Sequence, residues 1–293
     1  MLNMLYETFN IYLKFQNIID FCFGIIAVIV AKIILNIRNI IHIRNINRIL
    51  ELKNNKTEYT VSFFESEVWS SKIDNKKIKL VPHSESMIPI FIVNILNVSK
   101  NKSDISLCHL KDSQYKIDST KNRFVCGGPF TNTDTYNIFM KYFPYIKFPC
   151  STKNYIAACK NNITHVINTS YEINEDNSYL RKIYYTKEKK FIEFDSRYEN
   201  IIFMSRLKAS VDFDKNHGTV HIIFGTSAES TVQAFWSILN NADTIYDMVK
   251  KYKNNHYAFF IRMSHNKDVD FKNYVDITHT INIIGNPPAL PGD

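Results

Sequence analysis

Ile222-Ile-Phe-Gly225-Thr226-Ser227-Ala-Glu229-Ser230-Thr231 decides the fold, because an apolar run stops there at a glycine and a hydroxyl-rich turn leads on. The run Thr219–Phe224 (TVHIIF) predicts a buried strand, and the apolar spacing over Glu229–Leu239 predicts a helix. Far upstream the same grammar occurs in Phe124-Val-Cys-Gly127-Gly128-Pro129-Phe-Thr131-Asn132-Thr133-Asp134. There the strand Arg123–Cys126 ends in a glycine pair, and small polar residues open a helix at about Asp134–Tyr142. Gly127 and Gly128 allow backbone angles and close approaches that a Cβ forbids. Thr131, Asn132 and Thr133 can cap the helix or donate to a ligand. The exposed N–H groups and dipole of such helix starts suit a phosphate or carboxylate. In an open α/β sheet both turns lie at the carboxyl ends of strands, where ligands bind. The plainer alternative is a pair of ordinary tight strand–helix turns. The chain has only seven glycines, against roughly 7% in average proteins, which gives two matching turns more weight. Neither turn is a GxGxxG or GxxxxGK[ST] fingerprint, so the NAD-type and P-loop readings fail.

Outward from the turns, strands alternate with helices. Ile78–Val81, Ile105–His109, Ile201–Leu207, Tyr257–Met263 and Asp276–Ile284 read as strands. Met87–Val98 reads as a helix, with Ser84 or Ser86 as cap and Pro89 in the first turn, and Thr244–Tyr252 reads as another. Cys150–Ser210 is mostly strand-like, and KIYYT and KFIEF flank the polar turn Lys187–Lys189 as a hairpin. This pattern predicts an α/β fold, a Rossmann-like three-layer domain with a β-rich insertion at about 150–212. The tail Asn286–Asp293 (NPPALPGD) reads as extended or disordered.

The strongest compositional shift is at the amino terminus. Phe21–Ala31 (FCFGIIAVIVA) carries no charge, and the apolar run resumes after Lys32. With Phe9–Ile19 it exceeds the about 20 residues that a membrane span needs, so a transmembrane helix near residues 10–36 is expected. Lys14 and Lys32 can snorkel from the ends, whereas Asp20 is costly. A soluble core helix and a cleaved signal are the alternatives, the latter weakened by a non-basic start. Lys32, Arg38, Arg44 and Arg48 follow the span, and positive charge stays in the cytoplasm. The expectation is a single pass through the inner, cytoplasmic membrane with the main domain cytosolic. Residues 37–50 (IRNIIHIRNINRIL) place Ile37, Ile40, Ile41 and Ile46 at helical spacing among basic side chains. That suits a basic juxtamembrane helix continuing out of the membrane, a helix lying on anionic headgroups, or a coiled-coil-like connector between protomers of a homo-oligomer, with a solvated linker as the plainer alternative. The domain boundaries expected are 1–52 for the membrane and juxtamembrane part and 53–293 for the cytosolic ligand-binding domain.

The whole chain of 293 residues carries a formal charge of +8 and is 45% hydrophobic, which excludes wholesale disorder. Its positive charge is spread out with no basic stripe beyond Arg181–Lys190, so a nucleic-acid partner is not expected. Five cysteines without a CxxC pair disfavour a disulfide scaffold or structural zinc. No metal site and no resident cofactor are expected. His217 and His221 are separated by a glycine, and His221 reads as a packed strand histidine. Glu229 and Asp134 are the candidate catalytic acids, Glu229 as a nucleophile in glycosyl transfer. The bland reading of both is that they complement a helix dipole.

Gly127, Gly128, Pro129 and Asn132, together with Gly225, Ser230 and Thr231, carry a resemblance that covers roughly Ile78–Met263. The chain resembles a group of largely uncharacterised bacterial and archaeal proteins with a Rossmann-like domain, similar in style to the SLOG nucleotide-sensing domains. More distantly it is similar to nucleoside deoxyribosyltransferases. It departs from the pattern at Ser230-Thr231, where Gly-Thr is usual. The resemblance implies a membrane-anchored sensor or effector for a small anionic, nucleotide-derived ligand, in bacterial signalling or antiviral defence. The candidate ligand-binding residues are the seven that carry the resemblance, Gly127, Gly128, Pro129, Asn132, Gly225, Ser230 and Thr231, together with Thr131, Thr226 and Ser227 from the polar turns themselves. A nucleotide glycosyl hydrolase or transferase is the competing expectation, and a structural membrane-associated module with no ligand is the third.

Overall fold

The computed structural model describes residues 2–51, 59–62, 87–98, 105–108, 122–129, 133–151, 171–174, 179–208, 219–252, 255–266 and 268–282. The strand expected at Ile78–Val81, the caps Ser84 and Ser86, the turn residues Thr131 and Asn132, and the tail all lie outside those residues. The chain forms two compact units, Met1–Asn45 and Ile46–Asp293.

The first unit is built on α1 (Leu2–Leu50), a single helix of 49 residues. Its stretch Ile25–Leu50 is long and apolar enough to cross a bilayer. Phe23, Val28, Ile29, Ile34 and Leu35 stand exposed on it, and a helix that shows apolar side chains on all sides suits a membrane better than water. The basic segment 37–50 continues α1 without a break, the first of the forms expected for it. Its last residues, from Ile46 on, belong to the second unit.

That second unit runs β1 (Tyr59–Ser62), α2 (Ile88–Val98), β2 (Ile105–Cys108), β3 (Arg123–Cys126), α3 (Thr133–Tyr142), β4 (Phe148–Ser151) and β5 (Tyr171–Asn174). It continues with β6 (Leu180–Tyr184), β7 (Phe191–Asp195), β8 (Glu199–Leu207), β9 (Val220–Gly225), α4 (Ala228–Asn240), α5 (Ala242–Val249), β10 (Tyr257–Ser264) and β11 (Val269–Asp276). Among the described residues, seven strands make one mixed sheet in the order β11-β10-β8-β9-β3-β1-β2. β2, β1, β3 and β9 are parallel neighbours. β8 is antiparallel to β9, β10 to β8, and β11 to β10. The architecture is therefore mixed α/β, with a parallel half and an antiparallel half that meet at β9.

Each sheet face buries its own set of side chains, as the alternation of a strand requires. Ile202 and Met204 of β8 join a cluster with Ile49 and Leu50 of α1, Ile92 and Ile95 of α2, Phe235 of α4 and Ile245 of α5. Ile201 and Phe203 join the opposite cluster with Phe139 of α3, Phe148 of β4, and Ile183 and Ile192 of the hairpin β6–β7. Burial on both sides explains why β3 and β9 read as unbroken apolar runs. The second cluster is aromatic: the Phe139 ring lies 5.0 Å from that of Phe203, and Phe203 lies 5.1 Å from Phe224.

Two expectations need correction. β8 falls inside the insertion expected at about 150–212, yet it is a central strand of the main sheet. The closing strand expected at Asp276–Ile284 is β11, Val269–Asp276, and the chain then turns through a 3-10 segment at Thr278–Thr280. The hairpin β10–β11 closes when Ser264 N–H donates to Asp268 O at 2.9 Å. β11 is an edge strand of mixed polar composition, so it lacks the apolar run that marks a buried strand.

Candidate functional site

β3 and β9 are parallel and adjacent, with Cys126 opposite Ile223. The two glycine turns therefore leave the same edge of the sheet side by side. Gly127 has φ 95°, a conformation that favours glycine, and its carbonyl accepts from Thr135 Oγ1 at 2.7 Å. That bond ties the turn to the first turn of α3. Gly128 is different: among the described residues a Cβ there would meet the Phe224 ring at 3.5 Å, an ordinary contact. Pro129 is buried. Gly225 is required by packing, because a Cβ there would lie 1.9 Å from Ser230 Oγ and 2.8 Å from the Ser230 carbonyl carbon.

The hydroxyls of the second turn bond mostly to the turn itself. Ser227 caps α4 and forms a reciprocal capping box with Ser230. Ser230 N–H donates to Ser227 Oγ at 3.2 Å, and Ser227 N–H donates to Ser230 Oγ at 3.0 Å. Thr231 Oγ1 donates to Ser227 O at 3.1 Å and accepts from Gly225 N–H at 2.9 Å. Thr226 bonds instead to β8: its Oγ1 accepts from Ile201 N–H at 3.0 Å and donates to Asn200 Oδ1 at 3.1 Å. Ser230 and Thr231 are buried. These contacts account for the turn's composition as a strand–helix lock. At the surface of the two turns Thr226 is exposed, Gly128 and Ser227 are half-buried, and Gly127 is buried.

Glu229 is exposed in the first turn of α4, where it complements the helix dipole. Asp134 lies in the first turn of α3. Among the described residues, no group of three His, Cys, Asp or Glu is arranged to hold a metal ion. A shallow groove of about 610 Å³ is lined by Gln233, Trp236, Asn241, Asp268, Val269 and Phe271. None of the residues singled out from the sequence lines it.

The most developed polar constellation is at the other end of the same strands. Arg206 of β8 is fully buried and stands opposite His221 of β9. Its Nη1 donates to Arg48 O at 3.1 Å and Ile49 O at 2.9 Å, in the last turn of α1. Its Nη2 donates to Tyr252 O at 3.0 Å and Asn255 O at 2.8 Å. The ring of Tyr257 lies 4.7 Å below the guanidinium. His221 Nε2 lies 2.9 Å from Leu50 O. A carbonyl only accepts, so the ring carries its proton on Nε2. Tyr257 O–H donates to Ile49 O at 3.3 Å.

A helix end leaves its last carbonyls without partners. Here buried side chains supply them, and the cation sits where the helix dipole is negative. Glu51 follows with φ 43°, in the left-handed region usual for the residue after a helix. It pairs with Arg206 at 3.4 Å and with Lys208. Burial, then the nearby Arg206 charge, pushes the His221 pKa down to about 3, although its bond to Leu50 O opposes the shift. Burial and the Arg206 and Lys208 charges push His256 down to about 4. Both rings are therefore neutral at pH 7.

His221 meets its expected role as a packed strand histidine, stacked on Phe124 at 5.0 Å. Arg206 was legible only as an anomaly, the one cation within the apolar run of β8, and such a residue needs buried partners. No family model, no curated protein and no solved structure matches this chain.

Proposed function

We propose that the chain is a membrane-anchored sensor whose α/β domain is Rossmann-like, lies in the cytosol and binds a small anionic, nucleotide-derived ligand over the Gly127 and Gly225 turns. One observation carries the reading: the two turns end neighbouring parallel strands, and β8 and β9 hold the end of α1 at their far ends through Arg206 and His221. Strand connections also reverse between β1 and β3, since β1 leads outward to β2 while β3 leads the other way. In doubly wound sheets the ligand crevice opens at such a reversal, beyond the carboxyl ends of the strands. α2 and α3 pack on opposite faces of the sheet, which suits that reading. Ile202 stands opposite Gly225 and Arg206 opposite His221. A displacement at the turn thus reaches the helix anchor along about 13 Å of paired strand. The relay serves bacterial signalling or antiviral defence.

The test is thermal unfolding of the full chain in detergent against a panel of nucleotides. A ligand at 100 times its Kd stabilises by about 2.7 kcal/mol, and Gly128→Val should abolish the shift. Gly128 is the position to change, because among the described residues its added Cβ meets the Phe224 ring at an ordinary distance. If no nucleotide in the panel raises Tm, or Gly128→Val keeps the full shift, the reading is wrong.

A further inference from the structure

α2 (IPIFIVNILNV) has no charged residue. Ile88, Ile92, Ile95 and Leu96 are its buried side, in the core cluster shared with α4 and α5. The opposite side is exposed and is also largely apolar: Ile90 is 51% exposed, Val93 41%, and Met87, just before the helix, 41%. Asn94 and Asn97 complete that side. At 3.6 residues per turn these five positions share an arc of about 120°. A helix on the surface of a water-soluble domain normally turns charge outward, and this one turns Ile, Val and Met outward.

We infer that the outward side of α2, Met87, Ile90 and Val93, lies in the headgroup and upper acyl region of the bilayer. The inference rests on the membrane-anchor reading of α1, since the anchor keeps the bilayer at high effective concentration beside this domain. Two features favour lipid over a second copy of the chain. An 11-residue helix is about 16 Å long, so its outward side falls well below the roughly 800 Å² per partner of a standard stable interface. The absence of charge removes electrostatic steering toward any protein partner. It also makes the contact insensitive to salt, unlike that of a basic amphipathic helix.

The full chain in vesicles of phosphatidylcholine and phosphatidylglycerol supplies the test. Photoreactive p-benzoylphenylalanine replaces Ile90 or Val93 in turn, with Ile29 of α1 as positive control and the exposed Tyr198, between β7 and β8, as negative control. Irradiation followed by mass spectrometry should find lipid adducts at Ile29, Ile90 and Val93, at least five-fold above Tyr198 and unchanged by 0.5 M salt. Adducts at Ile29 with none at Ile90 and Val93, or cross-links from Ile90 to protein instead of lipid, overturn the inference and leave the anchor standing. Absence of lipid adducts at Ile29 removes the anchor reading itself, and this inference with it.

Discussion

Arg206 donates to four backbone carbonyls, two of them in the last turn of α1. Replacement by Met would withdraw these bonds, leaving Ile49 O with Tyr257 O–H and Tyr252 O with Asn255 N–H, and strip Glu51 of one ion-pair partner. Loss of one side of a buried charged network costs about 3–5 kcal/mol, which urea unfolding of Arg206→Met would read directly. Arg206→Lys should recover little of the loss, since a single ammonium cannot span the same fork. The neighbouring histidine adds a pH dependence. Folded His221 has its pKa near 3, below the about 6.5 of an unfolded histidine. Between those values the unfolded chain binds a proton that the folded chain does not. Its contribution is therefore complete above about pH 6.5 and falls by up to about 1.4 kcal/mol per pH unit below it. Tm of the wild type should drop from pH 7 to pH 4.5, and His221→Phe should flatten part of that slope. The glycines divide similarly: Gly225→Ala forces Ser230 aside and should cost about 1–3 kcal/mol, while Gly128→Ala should change Tm little. The residue types in both turns were visible in the sequence. That Gly225 is needed by its own helix became clear only once the Ser230 backbone was seen beside it.

The elements that announce themselves are those whose pattern is local. β3, β9, α4 and the hairpin β6–β7 follow from apolar runs, a capping sequence and a polar turn, each contained within a few residues. β8 was legible as a strand but not as part of the main sheet, because pairing partners distant in sequence leave no periodicity. β11 (VDFKNYVD) was missed for the opposite reason, as an edge strand whose burial is intermediate along most of its length. In α1 the composition changes from apolar to basic near residue 37, yet the helix runs on through it, as the isoleucine spacing over 37–50 allowed. Ser227 is the element-scale test. Its hydroxyl accepts from Ser230 N–H at the start of α4, so Ser227→Ala should destabilise by about 1 kcal/mol. A chemical-denaturation midpoint unchanged by Ser227→Ala would contradict the capping box.

For the whole molecule, a chain with the apolar stretch Ile25–Leu50 is expected to stay in the pellet when membranes are washed with alkaline carbonate. Release of the full chain into the supernatant would make α1 an ordinary amphipathic or core helix. In the proposed sensor the polar turns at the carboxyl ends of β3 and β9 hold an anionic ligand, while the opposite ends of β8 and β9 hold the last turn of α1. The composition of the turns pointed to it, and the adjacency of β3 and β9 supports it. The hydroxyls already bonded within the second turn, meanwhile, direct attention to the Gly127–Gly128 surface. Mass spectrometry of small molecules carried through purification by the full chain, beside Gly128→Val purified identically, tests this most directly. The expected result is a phosphate-bearing nucleotide derivative at near-stoichiometric amount with the wild type and its loss from the variant. Equal amounts on both proteins, or no phosphate-bearing molecule on either, would contradict it.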